Sequence, residues 1–166
     1  MPGYVITSFS SAKVRSSYWQ DAELHTPTHL TLDSFVAHAE STSSTFLYLL
    51  LSLLSLSASH TYSHAASHVG VAQSIATFLR ALPYHASKGN MVIPAEITAR
   101  HGVSQEEVFR KGGNAKGIDD AVFEFATVAN DHLITAREMF KETDGKVPGP
   151  ARPVFLSAVR ASFCRG

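Results

Sequence analysis

Cysteine is nearly missing from this sequence: Cys164 is the single thiol in 166 residues. One thiol excludes an internal disulfide framework and any cysteine-based zinc site. Cys164 is read as an inert thiol of a reducing compartment. Charge is scarce as well. Asp, Glu, Lys and Arg make up 17% of the chain, against ~25% in an ordinary soluble domain. The 14 basic and 14 acidic residues cancel, so the broad positive footprint that nucleic acid demands is absent. Between Glu40 and Arg80 there is no charged residue of these four types. A long apolar run is lacking too. The stretch Phe46 to Leu56 is about half the ~20 residues of a membrane-spanning helix before serines and histidines intervene, so it is read as a buried core helix.

What is present is a 45% hydrophobic fraction in a chain of single-domain length. A chain of about this size buries roughly two-thirds of its unfolded surface. With so few charges, some apolar surface is left to meet a partner, a membrane or a further part of the fold. Met1 to Gln20 holds Lys13, Arg15, several serines and no acid, a transit-peptide-like composition. Residues 1–30 are read as a poorly defined N-terminal segment and residues 31–166 as a helical domain.

Helical spacing runs through that domain. Thr31 or Asp33 can cap a first helix reaching about Ser57. A second is expected from about Tyr62 to Leu82, with an apolar stripe of Val69, Ala72, Ile75 or Ala76, and Leu79. Pro83 is expected to end it, since the residue before a proline disfavours helix. Ser87-Lys88-Gly89-Asn90 reads as a turn. Pro94 suits the first turn of a short helix stopping at His101-Gly102. Ser104 with Glu107 forms a capping-box pattern, and Gly112-Gly113-Asn114 breaks the chain again. Ile118, Val122, Phe125, Ala129, Leu133, Ala136 and Phe140 make the clearest stripe, read as core in preference to a coiled-coil seam. A stiff linker with Gly145, Pro148, Gly149, Pro150 and Pro153 leads to a final short helix, Val154 to Phe163. No strand pattern and no internal repeat stand out.

The segment Gly70 to Pro94, GVAQSIATFLRALPYHASKGNMVIP, resembles the second signature region of the squalene/phytoene synthase family. There a long helix reads G-L-A-L-Q-x-T-N-I-L-R-D-x-x-x-D, followed by a basic turn and Y-L-P. Gly70, Ala72, Leu79, Arg80, Gly89 and Pro94 fall at the family's positions without a gap. The resemblance implies an all-α fold, a partial terpenoid-synthase-like helical bundle. It also marks degenerate positions. The family's two aspartates fall at Ala81 and His85, its glutamine at Ser74, its asparagine at Thr77 and the tyrosine of Y-L-P at Val92. In the active family those aspartates hold Mg²⁺ against a substrate diphosphate. Magnesium wants oxygen ligands; alanine offers none, and imidazole suits softer metals. Loss of both carboxylates implies a pseudoenzyme with no catalytic residues, no metal and no cofactor. No D-x-x-x-D occurs elsewhere in the chain, and Asp119-Asp120 lacks the spacing. The family's catalytic domain is about twice this length, so a fragment, a shortened isoform or a truncated gene model is expected.

The strings His64 to Gly70, Leu79 to His85, His101 to Glu106 and Ala39 to Ser44 are similar to a branch of the family that has lost its carboxylates. That branch serves assembly of mitochondrial respiratory chain complex I. Its resemblance spans roughly Leu32 to Phe140, with a weaker echo at Pro153 to Leu156. It implies a non-catalytic assembly factor of the mitochondrial matrix, peripheral to the inner membrane. The implied partners are complex I assembly intermediates or other assembly factors. The alternative is a prenyl transferase-like protein that binds an isoprenoid or phospholipid, or a residual isoprenoid enzyme. Arg80, Tyr84 and Lys88 are its candidate phosphate or ligand contacts, because guanidinium captures phosphate oxygens in bidentate fashion. The competing reading pairs Arg80 with a helix carboxylate. His60, His64 and His68 recur every fourth residue, a ligand-like spacing. The outer two stand ~12 Å apart along a helix axis and cannot share one ion, so they are read as packed or hydrogen-bonded histidines.

Overall fold

Thr31 opens the first helix by accepting the Ser34 N–H on its side-chain oxygen at 3.1 Å, which satisfies one of the free donors of the first turn. From there a computed structural model describes residues 29–141 and 146–156. The elements are α1 (Leu32–Ala39), a π segment (Glu40–Ser44), α2 (Thr45–Leu53), α3 (His60–Ser87), α4 (Ala95–Arg100), α5 (Gln105–Lys111), a 3₁₀ turn (Gly112–Asn114), α6 (Ile118–Glu138), a second 3₁₀ turn (Gly149–Ala151) and α7 (Arg152–Phe155). Among the described residues there is no strand. The N-terminal segment to residue 28, Gly145, Cys164 and the end of the expected last helix lie outside them.

Two expectations are corrected by the first helical stretch. It is not one regular α-helix, and it stops at Leu53, not Ser57. Ser41-Thr42-Ser43-Ser44-Thr45 is a run of five small hydroxyls, which compete for backbone carbonyls. Ser41 and Thr42 donate to Ala37 O and His38 O at 2.9 and 2.8 Å. The Thr45 N–H and hydroxyl both reach Glu40 O, five residues back. The turn widens there into a π bulge, a feature that often marks functional sites. The leucine-rich run is only half core: Leu47 and Leu51 are buried, whereas Phe46, Leu49 and Leu53 are exposed.

A further correction concerns Pro83. Helix α3 runs through it to Ser87. Proline deletes one hydrogen bond to the carbonyl four residues back and crowds it, at ~3 kcal/mol or more. Here the ring lies on the exposed side, while Leu79, Leu82 and Ala86 on either side pack into the core. That burial carries the helix past its break. It ends instead at Gly89, whose φ of 76° is the left-handed conformation glycine accepts freely.

Helices α3 and α6 form the centre, with α1 and α2 across one side and α4 and α5 across another. Phe35 is the hub. Its ring meets Phe78 at 5.2 Å and Phe125 at 5.0 Å, both edge-on, the geometry aromatic quadrupoles favour. A second cluster joins Leu47, Leu51, Val69, Phe140, Val154 and Phe155 at the other end. The α6 stripe is as its spacing predicts, all buried except the partly covered Val122. Ser104 caps α5 as expected, accepting from Glu107 N–H. The Glu107 carboxylate turns to Lys111 at 2.7 Å, so its pKa is held below the usual carboxylate range, chiefly by that bond.

Candidate functional site

The positions singled out by the resemblance lie along α3, and the structure splits them between two sides of the helix. Ser74 is buried and donates to Ser43 Oγ on the π segment at 2.7 Å. Thr77 is exposed and bonds back to Gln73 O at 2.8 Å. Arg80, Tyr84 and Lys88 are exposed in successive turns, with Tyr84 at 65%. The ring of His85 meets Tyr84 edge-on at 5.5 Å. Among the ion pairs of the described residues none involves Arg80 or Lys88.

The donor set does not fit magnesium. Ala81 has no donor atom and His85 carries an imidazole. No Asp or Glu occurs anywhere from His60 to Ser87. A hard cation has no carboxylate to bind on α3.

The hydroxyl-rich π segment opens a groove of about 450 Å³ lined by Ser41, Thr42, Ser43, Phe46, Leu49 and Gln73. Behind it lies a polar crossing that spacing along the chain did not reveal. Glu40 accepts from Tyr48 Oη at 3.1 Å and from Ser67 Oγ. Ser44 Oγ donates to Ser67 O at 3.1 Å. Partners 23 and 27 residues apart leave no local signal; the only hint was the hydroxyl run itself.

The histidines divide. His60 and His64 stack at 4.0 Å between ring centroids. His68 reaches across to α6, where its Nδ1 lies 2.8 Å from His132 Nδ1. One ring donates and the other accepts. Both pKa values are lowered, first by burial. For His68, attraction to Glu40 opposes this and His64 adds to it. For His132, His68 lowers the value further while Glu40 and Asp131 oppose. The folded pair therefore refuses protons that the unfolded chain accepts. Its effect on stability is nil above the ordinary imidazole value of 6.5 and grows unfavourable as pH falls below it. Urea midpoints compared at about pH 7.5 and pH 5.5 should fall for the natural chain and fall less for His132→Asn. Equal slopes would show that the pair does not set this dependence.

The squalene/phytoene synthase profile matches residues 15–162. A Drosophila melanogaster protein described as "NADH dehydrogenase (ubiquinone) complex I, assembly factor 6 homolog" is 42% identical over 135 residues, 80% of this chain and 39% of its own length. The Homo sapiens protein "NADH dehydrogenase (ubiquinone) complex I, assembly factor 6" is 43% identical over 122 residues, 74% of this chain and 35% of its own. A Dictyostelium discoideum homolog of the same description is 30% identical over 126 residues, 34% of its length. The chain thus spans little more than a third of the curated relatives it matches. Its all-helical build, the long α3 that carries the signature region and the extent of the profile match agree: the chain belongs to the squalene/phytoene synthase family.

Proposed function

We propose that this chain is a non-catalytic assembly protein for mitochondrial respiratory chain complex I, built on a degenerate synthase fold. The observation that carries the non-catalytic part is the absence of any carboxylate on α3, with Ala81 and His85 at the degenerate positions. A diphosphate leaving group has no metal support there, and loss of such preorganised stabilisation costs orders of magnitude in rate. The named function of the matched relatives supports the assembly role. By that role the chain works in the mitochondrial matrix beside the inner membrane, on complex I intermediates or other assembly factors, through residues 31–166 as one helical domain. Deleting the gene should deplete assembled complex I on a native gel, and re-expressing this chain should restore it. Undiminished complex I in the deletion would overturn the reading.

A second reading draws on one observation, the exposed row Arg80, Tyr84 and Lys88 in successive turns at the C-terminal end of α3. It makes the protein a binder of isoprenoid or phospholipid phosphate. Calorimetry with a prenyl diphosphate separates the two. The assembly reading expects no heat that depends on Mg²⁺. Binding lost in Arg80→Glu would favour the second.

A further inference from the structure

Helix α2 buries only one of its sides. Leu47 and Leu51 pack into the core, while Phe46 is 61%, Leu49 36% and Leu53 80% exposed. Those three follow one another at helical spacing, so they form a single apolar ridge along the outer side of the helix. Beside the ridge lies the groove of about 450 Å³. Ser41, Thr42 and Ser43 bound it from the π segment, Gln73 from α3, and Phe46 and Leu49 line its apolar side. From Ser41 to Leu79 the chain holds no Asp, Glu, Lys or Arg. Single exposed apolar residues are ordinary, but a continuous ridge with no charge among its neighbours in the chain marks an interaction surface.

Ridge and groove side by side make a face that is complementary to itself. In a two-fold pair the ridge of one copy lies over the groove of the other, and the exchange is mutual. The uncharged stretch lets two copies meet there without setting like charges together, and it offers a charged partner nothing to pair with. The groove hydroxyls do not oppose the contact. Ser41, Thr42 and Thr45 already donate to carbonyls of their own helical stretch, and Ser43 accepts from Ser74. Covering them strands none of those three donors. We propose that the outer side of α2 and the groove beside it form a two-fold interface between two copies of this chain. This goes beyond the assembly reading and does not rest on it. Helix α2 has only nine residues, so the contact is short and the dissociation constant is expected on the order of micromolar.

The test is sedimentation velocity of the full chain over a concentration series reaching about 200 µM, well above that constant. The chain should pass from monomer to dimer and go no further, because a two-fold contact closes on itself. Raising the salt should leave the dimer intact, since no ion pair holds it. Phe46→Glu with Leu49→Glu places four carboxylates at the contact and should weaken pairing at least about thirtyfold. The milder Phe46→Ser with Leu49→Ser should weaken it about tenfold. Both variants should match the helical circular dichroism of the natural chain at concentrations where it is monomeric, because these side chains face solvent there. Phe123→Glu, at an equally exposed aromatic on α6, should dimerise as the natural chain does. A chain that stays monomeric overturns the proposal, and so does one that forms a ladder of larger assemblies. A dimer that salt dissociates, or one that survives both Phe46 and Leu49 variants, overturns it as well. The native-gel result is separate: loss of complex I in the deletion with a monomeric chain removes this interface and keeps the assembly role.

Discussion

Replacing Gly70 with valine is expected to unfold the chain. A glycine inside a helix normally costs ~1 kcal/mol relative to alanine, so adding a side chain there should help. Here the sign reverses. A Cβ at Gly70 would lie 2.6 Å from Ser44 N and 2.7 Å from Ser44 Cα, and closer still to Ser44 Oγ. The first two are backbone atoms and cannot rotate away. The α3 backbone must part from the π segment. Doing so strains the bonds from Ser44 to Ser67 O and from Ser74 to Ser43, and a buried polar group left unpaired costs ~1–3 kcal/mol. The sum, on the order of 4 kcal/mol or more, is a large share of the ~5–15 kcal/mol that holds a domain folded. Gly70→Ala should show most of the loss and Gly70→Val all of it, read as a fall in urea midpoint and in helical circular dichroism. Ser44→Gly should not rescue either variant, since it removes Oγ and leaves the backbone conflict. A Gly70→Val chain with the natural midpoint would show that the helices do not meet this closely.

The same residue shows what the sequence could and could not disclose. Gly70 was visible as a framework position by resemblance, but its reason is a contact with Ser44, 26 positions away, that no periodicity encodes. The α6 stripe from Ile118 to Phe140 was legible because burial of one helix face imposes the 3.6-residue period directly. The caps at Thr31 and Ser104 were legible because they are local chemistry. Pro83 was misread for the opposite reason: the local rule is sound, and tertiary packing of Leu79, Leu82 and Ala86 outweighs it. The leucine-rich run was misjudged because apolar composition does not say which side of a helix is covered; Leu53 and Leu47 read alike and have opposite fates. At the candidate site, Ser74 and Arg80 share a motif by sequence, yet one is tied to Ser43 and the other faces solvent. Glu40, Tyr48, Ser67 and His132 had no sequence signal, because their bonds form only when α3 crosses the π segment and meets α6.

The second large effect is expected at Phe125. Its ring is fully buried and meets Phe35 edge-on at 5.0 Å, and Phe35 in turn meets Phe78. Truncation to alanine removes the transfer energy of the ring and leaves a cavity where α1, α3 and α6 converge, at ~3–5 kcal/mol. For a chain of this size that corresponds to a fall in melting temperature of about 10 °C or more. Phe123, two residues earlier on the same helix, supplies the control. It is 73% exposed, so Phe123→Ala should change stability by no more than ~0.5 kcal/mol. The two substitutions delete the same atoms from the same helix and differ only in which face carries them. Thermal unfolding by circular dichroism should therefore separate them widely. Equal melting temperatures would contradict the placement of α6 against α1. In cells lacking the natural gene, the Phe125→Ala chain should also restore less complex I than Phe123→Ala, in proportion to the folded fraction. Restoration by an unfolded Phe125→Ala chain would show that the assembly role does not need this fold.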